Sequence, residues 1–259
     1  MKIFDVNSLE LKKYFDFFWA FTEKEIKVRY KRAIFGFLWV ILNPLLQMVV
    51  IGIIFSVFMK VPDYFLLLFS GLLPWGFFSL SLSKATSSFV NEGALFKKCT
   101  FPKELVLFSI IFSDVVHMIV SMMLLFLFLI FTGKLYFPQI LLFILGIIWL
   151  LIFTIGFSLI TATLQVRYRD ISFFVKSILV FWFYATPILY DLTMIPKSLY
   201  VVFLLNPLTT IFEIFHLAVL NRGVIVGEIF FVNLLLTILI FILGVMIFRK
   251  ENKYFVDWL

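Results

Sequence analysis

The sequence predicts an all-α integral membrane protein with six transmembrane helices, an N-terminal amphipathic interfacial helix, and re-entrant helices between the fifth and sixth spans. Of 259 residues, 63% are hydrophobic and 14% charged, and the mean hydropathy is +1.12. Polar surface is therefore too scarce to coat a soluble globule of this size. The apolar residues collect into runs close to the roughly 20 residues that a bilayer crossing requires. The basic residues gather in alternate loops. Together these three observations exclude a soluble enzyme. The single cysteine, Cys99, permits no intrachain disulfide.

The elements follow in order. From Leu9 to about Arg32, Leu11, Tyr14, Phe15, Phe18 and Trp19 recur at helical spacing with Lys12, Lys13 and Asp16 between them, as in a helix lying on a membrane. These charges, with Glu23, Lys24 and Glu25, interrupt any apolar core, so no cleaved leader is expected. Residues 1–33 thus read as a cytoplasmic N-terminal segment, and 34–259 as one six-span domain. Uncharged runs place spans at about 34–59, 64–83, 105–132, 138–164, 171–189 and 228–248. The second span continues as a Ser/Thr-rich extension past Lys84 into a polar loop, 91–104. Gly133, Lys134 and Pro138 mark a short turn, which makes the third and fourth spans antiparallel neighbours. Residues 190–226 are apolar yet broken by Pro196, Pro207 and Gly223, a pattern that suits short re-entrant helices better than one continuous span.

Charge fixes the expected orientation. With the N terminus inside, eighteen of the 22 Lys and Arg fall on the side of the termini, and only Lys60, Lys134, Lys197 and Arg222 fall on the other. The positive-inside rule then places both termini in the cytoplasm. The basic excess is thereby assigned to loops and gives no reason to expect nucleic acid.

No phosphate-binding loop of the form G-x-x-x-x-G-K-[ST] occurs, so a protein driven by ATP would borrow its motor. Asp114 with His117 and Glu213 with His216 form two acid-x-x-His pairs, each on one helical face. A di-metal site needs further carboxylates from facing spans, and the centres of the first, second, fourth and fifth runs have none. The pairs read as buried groups satisfied by neighbours, with Asp114 retained as a functional residue, and no metal or catalytic residue is assigned. Trp39, Asn43 and Gln47 repeat every four residues and form a polar stripe that continues to Phe55. Amides in hydrocarbon need a partner or water, so this face meets either another helix or a pore. Phe181, Trp182, Phe183 and Tyr184 supply flat aromatic faces in the fifth span, of the kind on which sugar rings slide. In the 91–104 loop, Leu95 and Phe96 beside Lys97 and Lys98 suit either a docking element for a soluble partner or an interfacial anchor.

Several stretches together resemble a known family. Gly36-Phe-Leu-Trp-Val-Ile-Leu-Asn-Pro-Leu-Leu46, preceded by Lys27-Val-Arg-Tyr-Lys31, is similar to the start of the permease subunits of ABC-2 type polysaccharide exporters, the O-antigen and teichoic acid class. The likeness continues through Gly71-Leu-Leu-Pro-Trp75, Phe101-Pro-Lys-Glu104, Val166-Arg-Tyr-Arg-Asp170 and Asn206-Pro-Leu-Thr209, in order along the chain. It implies an ABC-2, type V exporter-like architecture: a homodimer of six-span subunits in the inner membrane, paired with two copies of an ATPase that binds ATP and Mg. The cargo would be a lipid-linked polysaccharide. The resemblance also implies that Glu92, Leu95, Phe96, Lys97 and Lys98 belong to a coupling helix docking on the ATPase. Arg167 and Asp170 would make a second contact, and the N-terminal helix would be a gate. The channel would be lined by the first and fifth spans, through Trp39, Asn43, Gln47, Phe55, Phe181, Trp182 and Tyr184. Competing readings are an ABC-2 exporter of teichoic acid, a drug or a small lipid, a membrane-embedded transferase, and a structural membrane subunit.

Overall fold

A computed structural model describes residues 8–59, 63–98, 101–133, 137–221 and 226–258, and all regular structure among them is helical. Helix α1 (Ser8–Tyr30) is the expected amphipathic element. One face seats Phe17 on Phe101, with ring centroids 4.5 Å apart, and buries Phe21; the other exposes Leu11, Phe15 and Trp19, four residues apart. The chain then turns through Arg32 (φ 70°) and Gly36 (φ 48°). Gly36 carries no Cβ to oppose that conformation. A short 3₁₀ turn, Gly36–Leu38, leads into α2 (Trp39–Met59), so the first span starts as a tight turn and becomes α-helical only at Trp39.

Helix α3 (Tyr64–Asn91) is the hub, packed against α2, α5, α6, α7 and α9. It is one continuous helix that absorbs the predicted extension. The short α4 (Gly93–Lys98) follows, then α5 (Glu104–Phe131) and α6 (Phe137–Arg167). Helix α10 (Gly227–Glu251) packs on α6 at a close backbone crossing: a Cβ on Gly244 would lie 2.3 Å from the Gly156 carbonyl oxygen. Small residues permit such an approach, and in lipid the close approach itself supplies the packing energy.

Among the described residues, five helices are long and apolar enough to cross a membrane, in α2, α3, α5, α6 and α10. Helix α7 (Ile171–Tyr184) corrects the predicted fifth span of 171–189, because it stops after 14 residues. Pro187 disfavours helical geometry in the residue before it and has no N–H to donate, so the chain leaves the helix ahead of it. At 1.5 Å per residue α7 is about 21 Å long, short of the roughly 30 Å hydrocarbon layer. Two further short helices, α8 (Tyr200–Leu205) and α9 (Leu208–Leu220), occupy the predicted re-entrant region. Asn206 joins them to α7. Its Oδ1 accepts from Trp182 Nε1 (2.9 Å) and the Leu208 N–H (3.1 Å), and its Nδ2 donates to the Ala185 carbonyl (2.8 Å).

At the other end, Phe89, Phe96, Phe248 and Phe255 form one aromatic cluster, with Phe255 on the terminal α11 (Phe255–Trp258). Lys103 Nζ donates to the Asn252 carbonyl at 2.9 Å, and Arg169 to the Trp258 carbonyl at 3.1 Å. The 167–170 loop, the 91–104 loop and the C-terminal tail are thus tied together at one end. Lys24 joins the N-terminal helix to the same group through Glu92, at 2.6 Å.

Candidate functional site

Trp39, Asn43 and Gln47 of the α2 stripe lie on the wall of a cavity of about 450 Å³. Trp39, Asn43 and Gln47 form one side, and the other walls come from the end of α1, from α3 and from α5. Asn43 and Gln47 are exposed and have no hydrogen-bond partner among the described residues. Pro44, between them, explains how α2 is pinned. It has no N–H to donate to the Val40 carbonyl one turn earlier. Ser121 of α5 takes that place, its hydroxyl donating to the Val40 oxygen at 3.0 Å.

Charge collects at the α1–α5 side of the cavity. Asp114, 1% exposed, accepts from Arg29 of α1, lies 3.4 Å from Lys84 Nζ, and accepts from Ser81 at 3.1 Å. Arg29 also donates through Nη1 to His117 Nδ1, at 2.8 Å. The rings of Tyr30 and Phe37 flank His117, with centroids 5.4 and 6.0 Å away. Burial pushes the Tyr30 hydroxyl above its ordinary value, with Arg29 pulling the other way, so it stays a neutral donor near pH 7. The acid-x-x-His pair at 114 and 117 therefore faces cations. The other pair is apart from it: His216 bridges the Pro187 carbonyl and Ser70 at 2.7 Å each, inside the α3–α9 contact. Among the described residues no group of three His, Cys, Asp or Glu is placed to hold a metal.

Arg29 and Lys84 were not singled out by sequence. Asp114 in an apolar run was a signal that some cation must approach it. Nothing local, however, pairs it with an arginine 85 positions away.

The remaining predicted residues separate. Phe181 (75% exposed) and Tyr184 (63%) face outward from α7, whereas Trp182 turns into the protomer, against Phe78, Phe153 and Phe157 and bonded to Asn206. Trp182 is thus removed from the exposed aromatic face that the sequence suggested. No α7 residue lines the α2 cavity; Tyr184 lines a second, apolar one of about 540 Å³ with Tyr190 and Phe203. The side chain of Phe55 lies outside the described residues.

In α4, Lys97 and Lys98 are exposed and Leu95 half-buried, but Phe96 is only 6% exposed, which corrects its reading as a surface group. The helix is too short to hold itself on the bundle, and Phe96 anchors it through Phe89 and Phe101. Glu92 is engaged by Lys24. Arg167 lies over the Tyr168 and Trp258 rings, and it and Asp170 are exposed. Cys99 and Thr100 lie outside the described residues.

Residues 16–220 match the ABC-2 type transporter family. The chain is 34% identical over 253 residues to an O-antigen export system permease protein, RfbA, of Klebsiella pneumoniae, covering 94% of this chain and 95% of that protein. A second Klebsiella pneumoniae RfbA is 32% identical over the same length. RfbA of Myxococcus xanthus is 32% identical over 188 residues, 72% of each chain.

Proposed function

From the premise that this chain belongs to the ABC-2 type transporter family, we propose that it is the permease subunit of an ATP-driven exporter of a lipid-linked, O-antigen-like polysaccharide. It works as a homodimer in the inner membrane with two copies of an ATPase subunit, which bind the ATP and Mg. The observation that carries the reading is the face of α2 bearing Asn43 and Gln47, polar and unpartnered among the described residues of one protomer. In a bilayer such a face needs a second copy or a water-filled path. The path runs between the two copies of α2 and α7, where Phe181 and Tyr184 offer flat surfaces to sugar rings.

Both termini are cytoplasmic. The bond from Arg169 to the tail supports this topology: α10 returns to the end from which α7 departs, so α7 and the segment after it make the sixth crossing. Helices α8 and α9 are re-entrant from the outer side. ATP binding closes the ATPase dimer, and its motion enters through the exposed Lys97–Lys98 edge of α4 and through the 167–170 loop. From there it reaches α3 and the α2 wall. Helix α1, lying at the interface, gates entry from the inner leaflet.

Purification in lipid with the ATPase subunit of the same export system tests this. The expected result is a two-plus-two complex whose ATP hydrolysis falls on charge reversal at Lys97 and Lys98. A chain that recruits no ATPase overturns the reading. Photo-crosslinkers at Gln47 or Phe181 are expected to capture sugar polymer during export; capture of acyl chains alone counts against the path.

A further inference from the structure

At its C-terminal end, the exposed face of α10 changes chemistry. Residues 229–248 carry no charge and, at 1.5 Å per residue, cover about 30 Å, the thickness of the hydrocarbon layer. Along them Leu235, Leu239, Ile242 and Met246 stand exposed at three- and four-residue spacing, on one side of the helix. The same spacing carries the exposed face on to Arg249, Lys250 and Lys253, in the last turn of α10 and the 3₁₀ turn after it, Asn252–Tyr254. The three cations therefore stand where the hydrocarbon ends, directly beyond the apolar face.

None of the three has an ion pair or hydrogen bond among the described residues, and Glu251, the acid between them, is half-buried and does not pair with them. Other cations at this end are engaged by the protein itself. Lys103 and Arg169 donate to the carbonyls of Asn252 and Trp258, and Arg167 lies over the Trp258 ring. Beside the free trio, Tyr254 is 50% exposed and stacks on Trp258, with centroids 5.6 Å apart. Amphipathic rings of this kind settle at the headgroup level, and a basic cluster immediately beyond a membrane helix attracts anionic lipid. A free anion would satisfy the cations alone, whereas a lipid satisfies the cations and the apolar face together.

We propose that Arg249, Lys250 and Lys253 form a binding site for the anionic phosphodiester headgroup of a membrane phospholipid whose acyl chains lie along α10. The headgroup also braces the tail, because Asn252, next to Lys253, is where Lys103 ties the 101–104 stretch to it. Binding at this face is independent of what the protein exports.

Native mass spectrometry on the full chain in detergent measures binding, with phosphatidylglycerol, phosphatidylcholine of the same acyl chains, and glycerol phosphate as probes. Phosphatidylglycerol is expected to bind at least about tenfold tighter than phosphatidylcholine, since each Lys or Arg near the headgroup adds to the attraction. Arg249→Gln with Lys250→Gln is expected to lose about that factor, and Lys253→Gln alone about fivefold. Lys97→Gln with Lys98→Gln removes as much charge from exposed residues off this face and is expected to leave the affinity within about twofold. Phosphatidylglycerol is also expected to raise the thermal unfolding midpoint of the unsubstituted chain, and to raise that of the Arg249 and Lys250 double variant less. Equal binding of the two lipids, an unchanged affinity in either α10-end variant, or an equal loss in the Lys97 and Lys98 variant overturns the proposal. Glycerol phosphate binding as tightly as the lipid overturns it too, because the apolar face would then contribute nothing.

Discussion

Asp114 and Ser121 show how single side chains hold this bundle together. Removing Asp114 leaves Arg29 and Lys84, both largely buried, with no carboxylate between them. Breaking a buried ion pair from one side costs about 3 to 5 kcal/mol, so Asp114→Ala is expected to lower the thermal unfolding midpoint in nanodiscs well below that of Asp114→Asn, which can still accept from Ser81. Ser121→Ala strands the Val40 carbonyl that Pro44 has already deprived of its helical donor. The expected loss is about 1 to 3 kcal/mol, and Ser121→Thr, which keeps the hydroxyl, is expected to recover most of it in the same assay. What the sequence made legible at this scale was one half of each contact. An acid inside an apolar run advertises its need for a cation, and Asn-Pro inside a span advertises a freed carbonyl. The partners Arg29 and Ser121 come from other helices, and no local spacing names them.

Helix boundaries were legible wherever an apolar run ends at charge or glycine, as at α5, α6 and α10. They were less so where a backbone effect decides. Pro187 shortens α7 although the apolar composition runs on past it, and α4 hides Phe96 because the aromatic residues that bury it come from α3 and the 101–104 segment. This separates two substitutions that composition alone would treat alike. Phe96→Ala removes a buried ring and is expected to cost about 3 kcal/mol of stability. Lys97→Glu with Lys98→Glu is expected to leave the unfolding midpoint unchanged while abolishing coupling to the ATPase. A second test concerns the α6–α10 crossing. Gly→Ala in an open helix gains roughly 0.5 to 1 kcal/mol, yet a Cβ on Gly156 would sit 2.6 Å from the Phe241 Cα, backbone that cannot yield cheaply. Gly156→Ala is therefore expected to destabilise by about 1 to 3 kcal/mol, against a neutral or favourable effect at Gly76, which has open space around it.

Across the whole molecule two long helices leave most of their surface uncovered, and their chemistry differs. Between Phe231 and Met246 the exposed face of α10 is wholly apolar, running through Leu235, Ile238, Ile242 and Met246. Lipid satisfies such a face completely. Helix α2 exposes Leu46, Val50 and Ile53 alongside Asn43 and Gln47, at the same helical spacing. Its apolar part can face lipid or protein, but its amides cannot face hydrocarbon without loss, and the described residues of the single protomer give them no partner. On the proposed reading the two faces have different occupants: lipid on α10, and a second copy with a path between on α2. Cysteines placed singly at Val50 and at Met246, in a chain where Cys99 is replaced by Ser, separate the alternatives in the membrane. Val50→Cys is expected to give a disulfide-linked dimer on mild oxidation, and Met246→Cys to remain monomeric on a denaturing gel. Dimer formation through Met246 alone would move the interface to α10, and the Asn43 and Gln47 stripe would then have to be satisfied by a partner other than a second copy of this chain.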